Sequence, residues 1–223
     1  MRDHIKYALL AIFIIASVIH LYASLKCDKK LRGITKPFLL LALLGWYLCS
    51  VESPLTIVVA AIVTSWLGDS LLIPKGVKWF SVGGLSFFAS HVCFIVAYAY
   101  HVNFAAIPVW AIVLAGAVYV GISVMLFTRL RPHLPKLLFL PMFFYLLANG
   151  TMNCFALYQL ISLPCLATAV TFIGAVLFFA SDSTLFFVRF KKDGLLKTHF
   201  LVMLTYILGE FLIVEGFILL AAH

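Results

Sequence analysis

Apolar residues fill this chain in eight long stretches, separated by short clusters of basic, Pro, Gly and Asn residues. The stretches fall at about 4–25, 37–51, 54–73, 77–100, 105–128, 135–159, 164–190 and 195–222. Most approach the roughly 20 residues that a helix needs to cross a bilayer. They lack the strict alternation of barrel strands, so their backbone amides must be satisfied within helices. The pattern predicts an all-α polytopic membrane protein: an eight-helix transmembrane bundle in one transmembrane domain over residues 1–223. Several stretches open near a proline, which suits a first helical turn. On that basis the second helix is expected to start at Pro37 and to be short. The first stretch follows Arg2 and Lys6 as a signal peptide would. It is long for that role and no small-residue cleavage site follows, so it is read as a membrane helix.

Composition agrees. Of 223 residues, 65% are hydrophobic and 11% charged, whereas a water-soluble domain carries roughly a quarter charged residues. The net charge of +8 would suggest nucleic acid in a soluble protein. Here all 16 basic residues except Arg2 and Lys6 fall in the loops after the first, third, fifth and seventh stretches. This is a topology signal and a contact with lipid headgroups, not a nucleic-acid site. It predicts both termini outside and the four basic loops in the cytoplasm. Short loops and the lack of a retrieval signal favour a bacterial inner membrane. The five cysteines, Cys27, Cys49, Cys93, Cys154 and Cys165, form no CxxC pair and read as small apolar residues.

Polar residues inside the apolar stretches carry the chemistry. Asp69 lies in the third and Asp182 in the seventh. An intramembrane carboxylate costs roughly 2.5–3.5 kcal/mol on insertion scales and usually marks a functional site. At 1.5 Å per residue, Asp69 lies about 6 Å and Asp182 about 12 Å from the cytoplasmic helix ends. His91, Asn149 and Glu210 lie deeper, at about 21–23 Å. Tyr145, Asn149 and Asn153 share one face of the sixth helix; His199, Met203, Tyr206 and Glu210 share one face of the eighth. A faint repeat pairs Asp69-Ser70 with Asp182-Ser183, as two related four-helix halves would. Plainer roles stay open: Asn149, Asn153 and Tyr206 as interhelical hydrogen-bonding groups, His91 and His20 as core histidines, Glu215 as a solvated outer residue, and each aspartate as the partner of a loop cation.

Two carboxyls close together in a low dielectric share their protons unequally, so one acts as acid and the other as base. There is no HExxH, no GxSxG and no Gly-rich phosphate loop, so neither a metal nor a cofactor is expected. Lys36-Pro37, Gly68-Asp69, Gly84 with Phe87-Phe88-Ala89-Ser90-His91, Thr128-Arg129-Leu130, Gly174-Ala175, Ser181-Asp182 and the run from Tyr206 to Val214 succeed one another along nearly the whole chain. In order and spacing they resemble the YhhN-type lysoplasmalogenases. At Glu210 the chain carries a carboxylate where members of that family often have Gln or His.

The resemblance implies an integral membrane hydrolase of lysoplasmalogens. It would cleave the sn-1 vinyl ether of lysoplasmenylethanolamine or lysoplasmenylcholine to a fatty aldehyde and glycerophosphoethanolamine or glycerophosphocholine. The two aspartates proposed as catalytic in the family map to Asp69 and Asp182. Vinyl-ether hydrolysis starts with protonation of the β-carbon, and water then attacks the oxocarbenium ion. One aspartate would supply the proton and the other would stabilise the cation and activate water. Lys36 and Arg129 are expected to hold the phosphate, with His91, Asn149, Tyr206 and Glu210 around the substrate. The partners are thus a lysophospholipid and the surrounding lipids, with the active site near the cytoplasmic leaflet. The alternative from another class is a proton-coupled transporter of a small or lipidic solute, where intramembrane Asp, Glu and His also belong.

Overall fold

The computed structural model describes residues 2–191 and 199–222. The apolar stretches form α1 (Arg2–Leu25), α2 (Lys29–Ser50), α3 (Thr56–Leu71), α4 (Val77–Ala99), α5 (Val109–Leu130), α6 (Phe139–Ser162), α7 (Leu166–Phe186) and α8 (Phe200–Ala221). Among the described residues there is no strand. Seven of these helices are long and apolar enough to cross a membrane. The exception is α3. Its 16 residues span about 24 Å, against a hydrocarbon core of about 30 Å. The protein is an all-α polytopic membrane bundle.

The largest boundary difference is at α2, which starts at Lys29 and not at Pro37. Asp28 caps it, accepting hydrogen bonds from the Lys30 and Leu31 amides at 3.0 and 3.1 Å. A good cap outweighs an interior proline here. The first basic loop is therefore largely helix. Lys29, Arg32 and Lys36, spaced i, i+3, i+7, share one face of it. At the far end of the chain, the expected start of the eighth helix at 195 lies outside the described residues, as do Lys192 and Lys197.

Neighbours in sequence pack as pairs, α1 with α2, α3 with α4, α5 with α6 and α7 with α8. Further contacts join α6 to α4 and α7, and α8 to α1 and α2. Apolar side chains of α1 and α5, such as Ile15, Val18, Val113 and Leu114, remain exposed and form a lipid-facing surface. Serines tie the helices together. Ser86 and Ser90 donate to carbonyls of α3, Ser123 to Leu146 O and Ser181 to Val202 O. Glu215, expected to be solvated, is partly exposed and also accepts a hydrogen bond from the Trp46 indole at 3.1 Å, tying α8 to α2. His20 is buried and its Nδ1 lies 2.7 Å from Thr35 Oγ1, joining α1 to α2. The Thr35 hydroxyl already donates to Leu31 O, so His20 is the donor.

The tightest crossing is between α7 and α8. A Cβ at Gly209 would lie 2.8 Å from Phe178 N, and one at Gly174 would lie 2.6 Å from Ile213 N. These are backbone atoms that no side-chain rotation can move. Gly209→Val is therefore expected to cost about 3 kcal/mol or more. A lowered unfolding midpoint in detergent would register it. A midpoint equal to that of the native chain would refute this packing.

Candidate active site

The α7–α8 crossing leaves a cavity of about 720 Å³ between α2, α3, α4, α6, α7 and α8. Both intramembrane aspartates line it. Phe80, Phe87, Met142, Leu185, Phe186 and Met203 supply much of its apolar wall. Its mouth carries Lys29, Arg32, Lys75, Arg189 and His199. No residue deeper than Phe88 on α4, Tyr145 on α6 or Tyr206 on α8 lines it, so it ends blind.

The two carboxyls have different surroundings. Asp69 Oδ1 is ion-paired with Lys36 Nζ at 2.9 Å, and the side chains are 2% and 17% exposed. Tyr206 donates its hydroxyl to Asp69 Oδ2 at 2.8 Å. The ammonium and the phenol both favour the anionic form of this buried carboxyl. Asp182 Oδ2 accepts from the Tyr145 hydroxyl at 2.6 Å and from Asn149 Nδ2 at 2.9 Å. His91 Nε2 approaches the same oxygen at 3.4 Å. That contact is long and Nε2 has no properly aligned hydrogen bond. The other ring nitrogen, Nδ1, lies 2.6 Å from Phe87 O. A carbonyl only accepts, so Nδ1 carries a hydrogen. The ring is thereby oriented with Nε2 towards the Asp182 carboxyl.

Aromatic rings separate the two clusters. Phe178 stacks on His91 at 5.1 Å and meets Tyr206 edge-on at 5.6 Å. Phe87 packs against both Phe178 and Tyr206. Gly68 admits Phe87, because a Cβ at Gly68 would come 2.6 Å from its ring. Asn153 supports Asn149, donating to its backbone oxygen at 3.0 Å.

Of the eight residues singled out in the sequence, four line the cavity: Asp69, Asp182, Lys36 and Tyr206. His91 and Asn149 lie behind its wall, in contact with Asp182. Glu210 is fully buried and outside the lining. Ser65 lies beside it, but the Ser65 hydroxyl pairs with Ser90 at 2.7 Å, and neither Glu210 oxygen has a hydrogen-bond partner. Arg129 is exposed at the end of α5 and does not reach the cavity. Lys36 is engaged by Asp69, which leaves the expected phosphate pair of Lys36 and Arg129 without geometric support. Sequence reasoning missed Arg32 and Arg189 at the mouth. The signal for Arg32 was available: once Asp28 is read as the cap, Arg32 falls on the same helix face as Lys36. Among the described residues, no group of three or more His, Cys, Asp or Glu side chains is arranged to hold a metal ion.

Comparison with protein-family models matches residues 31–217 to the YhhN family. The chain belongs to the YhhN family. The match runs from the first turn of α2 to the last turns of α8, and so includes every helix that lines the cavity. No curated protein and no solved structure gives a significant match to this YhhN-family chain.

Proposed function

We propose that this YhhN-family protein is a membrane-embedded lysoplasmalogenase, hydrolysing the sn-1 vinyl ether of a lysoplasmalogen to a fatty aldehyde and a glycerophosphodiester. One observation carries the reading. On the wall of a single amphipathic cavity, a carboxylate neutralised by Lys36 is paired with a second carboxyl that faces a histidine. The first has the character of a base and the second that of an acid.

In this reading the alkenyl chain occupies the apolar part of the cavity and the glycerol lies towards the mouth. Asp182, acting as the acid, carries a proton on Oδ1 and passes it to the β-carbon of the vinyl ether. Tyr145 and Asn149 hold Oδ2 and stabilise the carboxylate that forms. The Asp69 anion stabilises the oxocarbenium ion and takes a proton from the attacking water. The hemiacetal then collapses as its hydroxyl proton moves to the glycerol oxygen, releasing aldehyde and alcohol. Exchange with solvent at the mouth returns the proton from Asp69 to Asp182. We read the mouth as cytoplasmic, because basic residues surround it.

The experiment that tests this incubates the purified protein with lysoplasmenylethanolamine in D2O and reduces the aldehyde as it forms. The product is expected to carry one deuterium on the carbon next to the former carbonyl. Aldehyde with hydrogen alone at that carbon would exclude protonation of the β-carbon. No aldehyde from any vinyl-ether lysolipid would exclude the hydrolase.

A further inference from the structure

The mouth of the cavity holds more positive charge than the reaction uses. Lys36 is neutralised by Asp69, and no acidic side chain pairs with Arg32 or Arg189 among the described residues. Arg32 Nε is buried without a hydrogen-bond partner. The Arg189 guanidinium lies 4.3 Å above the Phe80 ring, a contact to its face that leaves the N–H edge available to an acceptor, and none is supplied by the described residues. Between them, His199 caps α8 outside the membrane-spanning segment, and its pKa is pushed down to about 4 by burial and by Lys36, Arg32 and Arg189. It stays neutral at physiological pH and adds no further positive charge to the mouth.

We infer that Arg32 and Arg189 form a clamp for a phosphodiester monoanion, the group that ends a lysophospholipid, and that this clamp sets how deep the lipid sits. The inference rests on reading the cavity as a lysolipid site. Two guanidinium groups without an acidic partner among the described residues match the multidentate acceptor pattern of a phosphodiester. The apolar wall below takes the chain, so an amphiphile enters in one orientation only. The acidic residues lining the cavity are Asp69, already paired with Lys36, and Asp182, already holding two hydrogen bonds. Among the described residues no free carboxylate lines the mouth.

Binding of ligands that cannot be hydrolysed tests this apart from catalysis. The full chain in detergent is titrated with 1-O-hexadecyl-glycerophosphoethanolamine, its choline counterpart, and 1-O-hexadecylglycerol. Both phospholipids are expected to bind at least about tenfold more tightly than the uncharged glycerol ether. Arg32→Gln and Arg189→Gln are each expected to erase most of that preference. Arg32→Lys, which keeps the charge but not the fork, should retain an intermediate one. Equal affinity for all three ligands, or a preference unchanged in both Gln variants, would overturn the clamp. A soluble arm with glycerophosphoethanolamine separates the two sources of the anion: displacement of the lipid assigns the clamp to the free diester as well, and no displacement assigns it to the lipid alone. Preference without turnover of a vinyl ether would leave the clamp standing and remove the hydrolase. Turnover without preference would do the reverse.

Discussion

Asp182→Asn is expected to lower aldehyde release by about a thousandfold or more, as loss of a positioned general acid does. The substitution keeps the shape of the side chain. Its amide oxygen still accepts from Tyr145 or Asn149, the two groups that now bond Oδ2. What it loses is the capacity to carry and deliver a proton. Binding of the saturated ether lipid should therefore change little, because Asp182 does not hold the phosphate, and the loss should fall on kcat. Asp69→Asn removes the anion opposite the oxocarbenium ion, and a loss of about a hundredfold to a thousandfold is expected. Steady-state rates with lysoplasmenylethanolamine decide both. Either variant retaining activity within tenfold of the native rate would end the two-carboxyl mechanism.

Lys36→Met is expected to have the largest effect on stability. Its ammonium is the only cation within 4 Å of Asp69 among the described residues, and Asp69 is almost completely buried. Removing one member of a buried pair costs about 3–5 kcal/mol, because the other charge is left without a partner. Asp69 would then take up a proton, and the base would be lost with it, so activity should collapse as well. The double variant Lys36→Met with Asp69→Asn separates the two effects. It should regain most of the lost stability, since neither charge remains, yet stay inactive. Thermal unfolding in detergent together with aldehyde release measures this. A single variant as stable as the native chain would show that the Lys36–Asp69 contact carries little energy. An active double variant would remove Asp69 from the chemistry.

The structure also separates residues that sequence position alone treats alike. His91 and Glu210 both appear as deep polar groups at similar estimated depth. His91 turns to Asp182 because Phe87 O, one helical turn away, fixes its Nδ1 hydrogen and leaves Nε2 for the carboxyl. Glu210 finds no partner for either oxygen. Tyr145 and Asn149, one turn apart on α6, converge on one oxygen of Asp182. Helical spacing places them on a common face, but the spacing cannot name the helix that the face meets.

The sequence by itself determined that this is an all-helical membrane bundle, because backbone groups in hydrocarbon can be satisfied only within helices and the apolar stretches are long enough to require them. It also singled out Asp69 and Asp182, since charge is costly in that setting. Local capping was legible in principle at Asp28, but proline preference pointed to Pro37, and with that choice Arg32 was assigned to a loop. Only the tertiary structure decided the rest. It brought both aspartates onto one cavity, gave Lys36 to Asp69 and His91 to Asp182, left Arg129 outside and put Arg32 and Arg189 at the mouth. Helical periodicity fixes which residues share a face. Which faces meet depends on backbone approaches such as Gly174 on Gly209, which are set by packing between segments far apart in the chain.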